Sequence, residues 1–293
     1  MAGLTLRHGA LEFPALAMGE GPVVLMLHGF PDGPETFAAQ LPALAAAGYR
    51  AVAPAMRGYV AASIPADGDF HVASLAADVH AWVQQLGGPV HLIGHDWGAS
   101  VAHAAVVSAP ELFRSLTVIA VPHPGRFAEL ASKDPGQMAR SGYFMDLVAP
   151  GAATRFLADD LAYLDGLWRK WSPGWAIPLA ELDAMHRVFR VPGVLDAALA
   201  WYRQALMPSD DAAAARAGAL MAADVPVSAL GIVGADDGCV SAAVFMAAMA
   251  AACYPAGVQS EVIPDAGHFV QREAPDRVNA LLLDFLARAP SGH

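Results

Sequence analysis

One stretch, residues 89–108, constrains the fold of this chain more than any other. Val90, Leu92 and Ile93 form a short apolar run that predicts a strand buried on both faces, and the Ala-rich run at 101–107 predicts a buried helix. Between them stands the sequence G-H-D-W-G of residues 94–98. A side chain on so tight a strand-to-helix turn needs glycine neighbours, because the backbone is strained and adjacent elements pass close to it. We therefore expect Asp96 at the apex of a sharp turn.

Two interpretations of this turn are open when it is taken alone. The structural one is a glycine-flanked turn in which the Asp96 carboxylate only caps the helix. The functional one places a reactive carboxylate near the N-terminal end of a helix, which favours its ionised form. Other motifs in the chain distinguish between these two interpretations.

Strand and helix patterns alternate along both ends of the chain. Residues 4–17 predict an antiparallel hairpin at a sheet edge. Apolar runs predict further strands at 23–27, 50–55, 116–121, 225–233 and 260–263. Helices are predicted at 34–47 and 71–86, and a last one begins near Pro275. This alternation indicates an α/β fold with a mostly parallel central sheet flanked by helices.

The alternation stops after residue 123. Residues 124–224 contain helical fragments, several prolines and four of the six tryptophans, without a clear strand pattern. A helical segment inserted at the sheet edge that carries Asp96 is most simply a cap over that edge. We therefore expect a core of residues 1–123 and 225–293 and a helical cap of residues 124–224. The alternative is an ordinary helical extension whose tryptophans serve packing.

Three polar residues each follow a predicted strand, in the order Asp96, Asp237, His268. Each has a structural alternative, since Asp237 can form a turn and His268 can begin a helix. Asp236 competes with its neighbour for the acidic position. The carboxyl ends of parallel strands meet at one edge of a sheet, so the three would lie close together. The order nucleophile, acid, histidine is that of the α/β-hydrolase arrangement.

Four motifs make a resemblance to a known family specific. They are H-G-F-P at 28–31, G-H-D-W-G at 94–98, G-A-D-D-G at 234–238 and G-H-F-V-Q-R-E-A-P at 267–275. Together they resemble the α/β-hydrolase-fold epoxide hydrolases and their haloalkane dehalogenase relatives. The resemblance implies the α/β-hydrolase fold, Asp96 as nucleophile, and His268 paired with Asp237 rather than Asp236.

The predicted cap matches this family less closely. Residues 200–203, A-W-Y-R, resemble a family segment whose tyrosine donates a hydrogen bond to the epoxide oxygen, which implies this role for Tyr202. The family's second cap tyrosine lies shortly before a Pro-Gly pair. Counting back from Pro150, that place holds Asp146, with Tyr143 nearby in sequence. The second proton donor is therefore left open.

Further residues are expected around the nucleophile. The backbone N–H groups of Phe30 and Trp97 are placed to hold an oxyanion on Asp96. The side chains expected at the substrate pocket are His28, Pro31, Tyr143, Asp146 and Trp201.

An acidic nucleophile restricts the reaction. A carboxylate that attacks a strained or activated carbon leaves an alkyl ester on the enzyme, which suits epoxides and alkyl halides. We therefore expect an epoxide hydrolase, in which Asp96 opens the ring and water activated by His268 releases a vicinal diol. The main alternative is a haloalkane dehalogenase, although those relatives often carry Asn at the place of Phe30. An esterase or a non-catalytic binding protein of this fold is less favoured.

Composition restricts the partners. A net charge of −11 disfavours nucleic acid and anionic membranes, and no signal peptide or membrane span is evident. Cys239 and Cys253 lack metal-ligand spacing, which is typical of reduced cysteines in a cytoplasmic protein. We expect no metal or cofactor, because zinc-ligand spacing and nucleotide-binding glycine motifs are both missing. The expected partner is a small apolar epoxide, and homodimer formation is left open.

Overall fold

A computed structural model describes residues 3–208 and 211–289 of the chain. Residues 1–2 and 290–293 of the predicted core and residues 209–210 of the predicted cap lie outside the described residues. Each strand predicted above has a counterpart here. The strands are β1 (Leu4–His8), β2 (Leu11–Met18), β3 (Val23–Leu27), β4 (Arg50–Pro54), β5 (Val90–His95), β6 (Phe113–Ile119), β7 (Ala229–Gly234) and β8 (Val258–Ile263).

The eight strands form one sheet in the order β1-β2-β4-β3-β5-β6-β7-β8. β2 pairs antiparallel with both β1 and β4, and all other neighbours pair in parallel. The predicted α/β architecture with a mostly parallel central sheet is thereby confirmed. β5 lies inside the sheet between β3 and β6, and all six of its residues are buried, as its continuous apolar run predicts.

Six α-helices belong to the two segments predicted as core. They are α1 (Gln40–Ala46), α2 (Val72–Leu86), α3 (Trp97–Ser108), α12 (Ala242–Ala248), α13 (Val270–Glu273) and α14 (Pro275–Arg288). The helix expected over residues 34–47 is interrupted: a short 3-10 helix (Pro34–Phe37) precedes α1. Pro42 explains the break, because it lacks an N–H group and is tolerated only in the first turn of an α-helix.

Helices alone make up the described secondary structure between β6 and β7. They are α4 (Pro124–Ala131), α5 (Pro135–Arg140), α6 (Tyr143–Val148), α7 (Ala152–Ala158), α8 (Ala162–Trp171), α9 (Leu179–Phe189), α10 (Val194–Leu206) and α11 (Asp211–Ala222). We call residues 124–224 the cap region. Its tryptophans Trp168, Trp171 and Trp201 are almost fully buried, so they contribute to a packed interior.

Candidate active site

The turn between β5 and α3 places Asp96 at the carboxyl edge of the sheet. Asp96 has φ 54° and ψ −124°, a conformation that residues other than glycine rarely adopt. A Cβ atom on Gly94 would lie 2.3 Å from the carbonyl oxygen of Gly98, and one on Gly98 would lie 2.2 Å from that of Leu27. Close approach of the backbones therefore requires both glycines, as the sequence pattern predicts.

Asp96, His268 and Asp237 meet in one buried cluster. Nδ1 of His268 lies 3.0 Å from Oδ2 of Asp237, and its Nε2 lies 3.5 Å from Oδ2 of Asp96. The other oxygen of Asp237 accepts hydrogen bonds from the backbone N–H groups of Cys239 and Val240, at 2.7 and 2.9 Å. The structure thus fixes the orientation of Asp237, whereas its competitor Asp236 is exposed.

The electrostatics of the cluster favour an ion pair. Burial by itself would lower the pKa of His268, but the carboxylates of Asp237 and Asp96 raise it to about 10. Burial by itself would raise the pKa of Asp96, but its contacts with His268 and the N–H of Phe30 hold that pKa below the usual value. Both shifts favour the charged forms, an imidazolium of His268 next to an ionised Asp96.

The backbone N–H group of Phe30 contacts the Asp96 carboxylate, and that of Trp97 lies next to Asp96 in the chain. The N–H of Phe30 donates to Oδ1 of Asp96 at 2.7 Å. Trp97 directly follows Asp96 as the first residue of α3, where N–H groups have no acceptor within the helix. Gly29 lets this loop approach, because a Cβ atom there would lie 2.3 Å from Oδ1 of Asp96. One oxygen of Asp96 is thus held by the loop, and the other faces the histidine.

Tyr202 of α10 lies above this carboxylate. Its ring packs at 5.0 Å from the ring of Trp97 and at 5.3 Å from that of Phe30. The Tyr202 hydroxyl is buried, and its proton has no acceptor among the described residues. Burial and the nearby charge of Asp96 raise its pKa well above 10, so the phenol stays protonated. The group is available as a hydrogen-bond donor to a bound molecule.

The two residues considered for a second cap donor are placed differently. Tyr143 is buried, with its ring 6.4 Å from that of Tyr202 and its hydroxyl 3.3 Å from Sγ of Cys239. Asp146 accepts a hydrogen bond from the hydroxyl of Tyr163 at 2.8 Å, on a separate, exposed part of the cap region. Tyr143 is therefore the one that shares the interior with Tyr202.

A cavity of about 620 Å³ lies over Asp96, between the sheet edge and the cap region. Asp96, Trp97, Tyr143, Trp201 and Tyr202 contribute to its lining. The rest of the described lining is mostly apolar, including Leu75, Val121, Phe127, Met138, Phe144 and Met221. It contains no Lys, Arg or Glu, and Asp96 is its one carboxylate.

Three of the expected pocket residues lie outside the described lining of this cavity, namely His28, Pro31 and Asp146. Nε2 of His28 accepts a hydrogen bond from the N–H of Met56 at 3.0 Å, and burial lowers the pKa of His28 to about 4. The carbonyl of Pro31 accepts from the indole of Trp168 at 3.0 Å. In this structure, His28 and Pro31 hold the loop that carries Phe30.

Sequence reasoning missed two residues that contact the cluster. Cys239 stands two residues after Asp237 and its N–H donates to that carboxylate, whereas its sequence context indicates only a reduced thiol. Ser172 donates and accepts hydrogen bonds at the His268 loop from a distant part of the chain. Nothing in the local pattern around either residue signals these contacts.

Two groups of described side chains have donor atoms within 4.8 Å of one another, as a metal ion would require. The first is Asp237, Cys239 and His268, and the second is His123, Asp224 and Cys253. In the first group, Asp237 and Nδ1 of His268 bind each other. In the second, Nε2 of His123 donates to the carbonyl of Ala223 and Nδ1 accepts from a backbone N–H. Both histidines therefore use ring nitrogens for bonds within the protein.

Comparison with known proteins places this geometry in context. The family model described as the alpha/beta hydrolase fold matches residues 22–275. The chain is 29% identical to epoxide hydrolase 4 of Mus musculus, over 96% of this chain and 78% of that protein. It is 33% identical to an epoxide hydrolase of Caballeronia sordidicola, over 60% of this chain and 56% of that protein.

Comparison with solved structures also finds similarity to an epoxide hydrolase. The chain superposes on an epoxide hydrolase from an endophytic Streptomyces with a TM-score of 0.81 and 26% identity, over 98% of this chain and 95% of that one. Among the described residues, no helix is at once long enough and apolar enough to cross a membrane.

Proposed function

Since this chain belongs to the alpha/beta hydrolase fold family, we propose that it is an epoxide hydrolase that forms a covalent ester on Asp96. One observation carries the proposal: a buried carboxylate lies between a histidine and a tyrosine hydroxyl that has no acceptor of its own. The names of similar proteins, epoxide hydrolases in mouse, Caballeronia and Streptomyces, support it.

In the first step, Oδ2 of Asp96 attacks one carbon of the epoxide and the ring C–O bond breaks. Tyr202 donates a hydrogen bond to the ring oxygen and then its proton to the alkoxide, which eases departure of the oxygen. Because Tyr202 has a raised pKa, its phenolate readily takes a proton back from water. Tyr143 is the candidate for a second donor, since it lines the same cavity.

In the second step, water attacks the carbonyl carbon of the Asp96 ester, and Nε2 of His268 accepts the proton. Oδ1 carries the negative charge of the tetrahedral intermediate, held by the N–H groups of Phe30 and Trp97. Each such donor contributes roughly 3 kcal/mol in comparable sites. Esterification also removes the charge of Asp96, one of the two carboxylates that raise the pKa of His268. The imidazolium can then release its proton, which reprotonates the Tyr202 phenolate through water, and the neutral imidazole serves as the base.

Collapse of the tetrahedral intermediate completes the reaction. The ester bond between the carbonyl carbon and Oδ2 breaks, and the diol oxygen takes up the proton of the new Asp96 carboxyl group. Asp96 is then left ionised beside the protonated His268.

The cavity supports an apolar, uncharged epoxide as the substrate. Two polar side chains in its wall bind each other and the backbone: Nδ1 of His71 lies 2.6 Å from Oε1 of Gln204, whose amide donates to the carbonyl of Gly68. Apart from the proposed nucleophile Asp96, the described lining contains no carboxylate, lysine or arginine that could pair with a charged substituent on the substrate. The cavity volume of about 620 Å³ lies within the usual range for small-molecule sites.

Phe30 argues against a haloalkane dehalogenase. Its ring occupies the place where those relatives often carry Asn, and an aromatic ring has no N–H to offer a halide. The ring instead packs against Tyr202, at a centroid distance of 5.3 Å.

Cap, location and assembly are parts of the same proposal. Residues 124–224 act as a cap, since Phe144 and Tyr202 from this region line the same cavity as Asp96.

Cys239 and Cys253 are free thiols, which supports a reducing, cytoplasmic location. Homodimer formation stays open, and light scattering of the purified protein decides it.

Incubation of the purified protein with styrene oxide and with 1-bromobutane tests the proposed activity. We expect diol from the epoxide and no bromide from the halide. Asp96→Ala should abolish diol formation, and Asp236→Ala, which changes the exposed neighbour of Asp237, should retain it. Release of bromide without diol would identify a dehalogenase instead. If the folded protein converts neither compound, the proposed activity is wrong.

A further inference from the structure

Two side chains outside the catalytic cluster, Ser172 and Glu273, hold the loop that carries His268. Oγ of Ser172 accepts hydrogen bonds from the N–H groups of His268 and Phe269, at 3.0 and 3.3 Å. The same hydroxyl donates to Oε1 of Glu273 at 2.6 Å. The other oxygen of Glu273 accepts from the N–H of Gly267 at 2.8 Å. The N–H groups of three consecutive residues, Gly267, His268 and Phe269, therefore donate hydrogen bonds to Ser172 or Glu273.

The backbone next to Ser172 contacts both catalytic loops. The carbonyl of Trp171 accepts from the N–H of His268 at 3.1 Å and from the N–H of Gly238 at 2.9 Å. Gly238 directly follows Asp237, and Trp171 is the last residue of α8 in the cap region. One short segment of the cap region thus joins the loop of the acid to the loop of the histidine.

Two glycines make this approach possible. A Cβ atom on Gly267 would lie 2.5 Å from Cα of Ser172, and one on Gly238 would lie 2.0 Å from the carbonyl oxygen of Lys170. Distances this short exclude any side chain at either position. Both loops are therefore built to receive the segment of residues 170–172.

We propose that Ser172, together with Glu273, is a positioning residue for His268, so that the cap region fixes the catalytic base as well as covering the cavity. Its kinetic consequence rests on the proposed function. Nε2 of His268 has to reach a water molecule at the Asp96 ester, and the imidazole follows its backbone. Small displacements of a positioned group reduce the rate of the step that it serves.

The proposal predicts different effects on the formation of the Asp96 ester and on its hydrolysis. Asp96 is held by its own turn and by the N–H of Phe30, neither of which includes Ser172. Loss of the Ser172 hydroxyl should therefore leave formation of the ester intact and slow its hydrolysis. Slow hydrolysis lowers kcat and KM by the same factor, because the ester accumulates, and leaves kcat/KM unchanged.

The kinetic experiment compares Ser172→Ala with Ser172→Thr, which keeps a hydroxyl, and with Ser132→Ala. Ser132 is an exposed serine of the cap region whose hydroxyl donates to the carbonyl of Glu129. For Ser172→Ala we expect kcat and KM with styrene oxide to fall about tenfold together. Ser172→Thr should recover most of the loss, and Ser132→Ala should behave like the wild type. A fall in kcat/KM parallel to kcat would indicate only a smaller active fraction and would contradict the proposal.

Hydrogen exchange, followed by mass spectrometry without substrate, tests the contact independently of activity. In Ser172→Ala, the amides of His268 and Phe269 should exchange about tenfold faster, because both lose the Ser172 hydroxyl as an acceptor in the folded state. Ser132→Ala should leave them unchanged. Unaltered exchange in Ser172→Ala would overturn the positioning role even if the enzyme hydrolyses epoxides. Faster exchange in a protein without activity on any epoxide would retain this role and reject the proposed function.

Discussion

The Asp96 carboxylate is divided between two environments, and this division determines its chemistry. Oδ1 accepts the N–H of Phe30 at 2.7 Å, and Oδ2 lies 3.5 Å from Nε2 of His268. The oxygen that faces the histidine is free to attack, whereas the other is already in place for the oxyanion. A serine at this position would offer one oxygen only, so the split role depends on a carboxylate.

Replacement of the histidine should arrest the reaction between its two steps. In His268→Gln, Asp96 can still attack the epoxide, but no base activates water, so hydrolysis should slow by about 100-fold or more. Mass spectrometry after incubation with styrene oxide should show the added mass of the epoxide on the peptide that contains Asp96.

The double variant His268→Gln with Asp96→Ala provides the control and should show no adduct. An unmodified peptide in His268→Gln, under conditions in which the wild type turns over rapidly, would be evidence against a covalent ester.

The β5–α3 unit depends strongly on residue size. Gly98 lies in the first turn of α3 against the backbone of β3, and Gly94 lies against Gly98 itself. This contact brings the N-terminal end of α3 to the carboxyl edge of the sheet, where Asp96 is needed. Its packing is therefore part of the site as well as of the core.

A methyl group at Gly98 should separate α3 from β3. Its Cβ would lie 2.2 Å from the carbonyl oxygen of Leu27, so Gly98→Ala forces a backbone shift and should lower the free energy of unfolding by roughly 1–3 kcal/mol. Urea unfolding measures the change, and diol formation should fall with it.

Gly166 offers the matched control, because it lies inside α8 with no atom within 4 Å of an added Cβ. Gly166→Ala should stabilise the protein by about 0.5–1 kcal/mol through helix propensity. Equal stability of Gly98→Ala and wild type would mean that the close approach is not needed.

At the scale of the whole molecule, buried histidines make the free energy of unfolding depend on pH. Burial lowers the pKa of four of them from 6.5, to about 4 in His28 and His91 and to about 3 in His95 and His103. As pH falls below 6.5, the unfolded chain takes up protons that the folded protein does not accept. Each of these histidines therefore lowers the free energy of unfolding by about 1.4 kcal/mol per pH unit in that range.

His268 acts in the opposite direction. Its pKa is raised to about 10, so its contribution to stability is fully present below 6.5 and is lost as pH rises through 10. We expect the free energy of unfolding to be largest near pH 7, where these five histidines together bind about one proton in the unfolded chain, as His268 alone does in the folded protein. Urea unfolding at pH 4.5, 6.5, 7 and 8.5 is the measurement. His103→Gln, which removes one neutral histidine, should make the acid side less steep. Equal stability at pH 4.5 and 6.5 would contradict the assignment of these histidines.

The sequence by itself determined the sheet, the turn at Asp96 and the order of the proposed catalytic residues. These features depend on local signals: continuous apolar runs mark strands that are buried on both faces, and glycines mark places where backbones meet. The ends of some elements nevertheless differ from the prediction: α1 begins at Gln40 rather than at residue 34, because Pro42 is tolerated only in the first turn of a helix.

Only the tertiary structure decided which side chains face the cavity and which groups hold His268. Tyr143 and Asp146 belong to the same six-residue helix, which is too short for its pattern to define a buried face. Ser172 and His268 are 96 residues apart, so their contact leaves no periodic trace in the chain. Local patterns specify elements because they arise from neighbouring residues, whereas a site is assembled by the packing of distant segments.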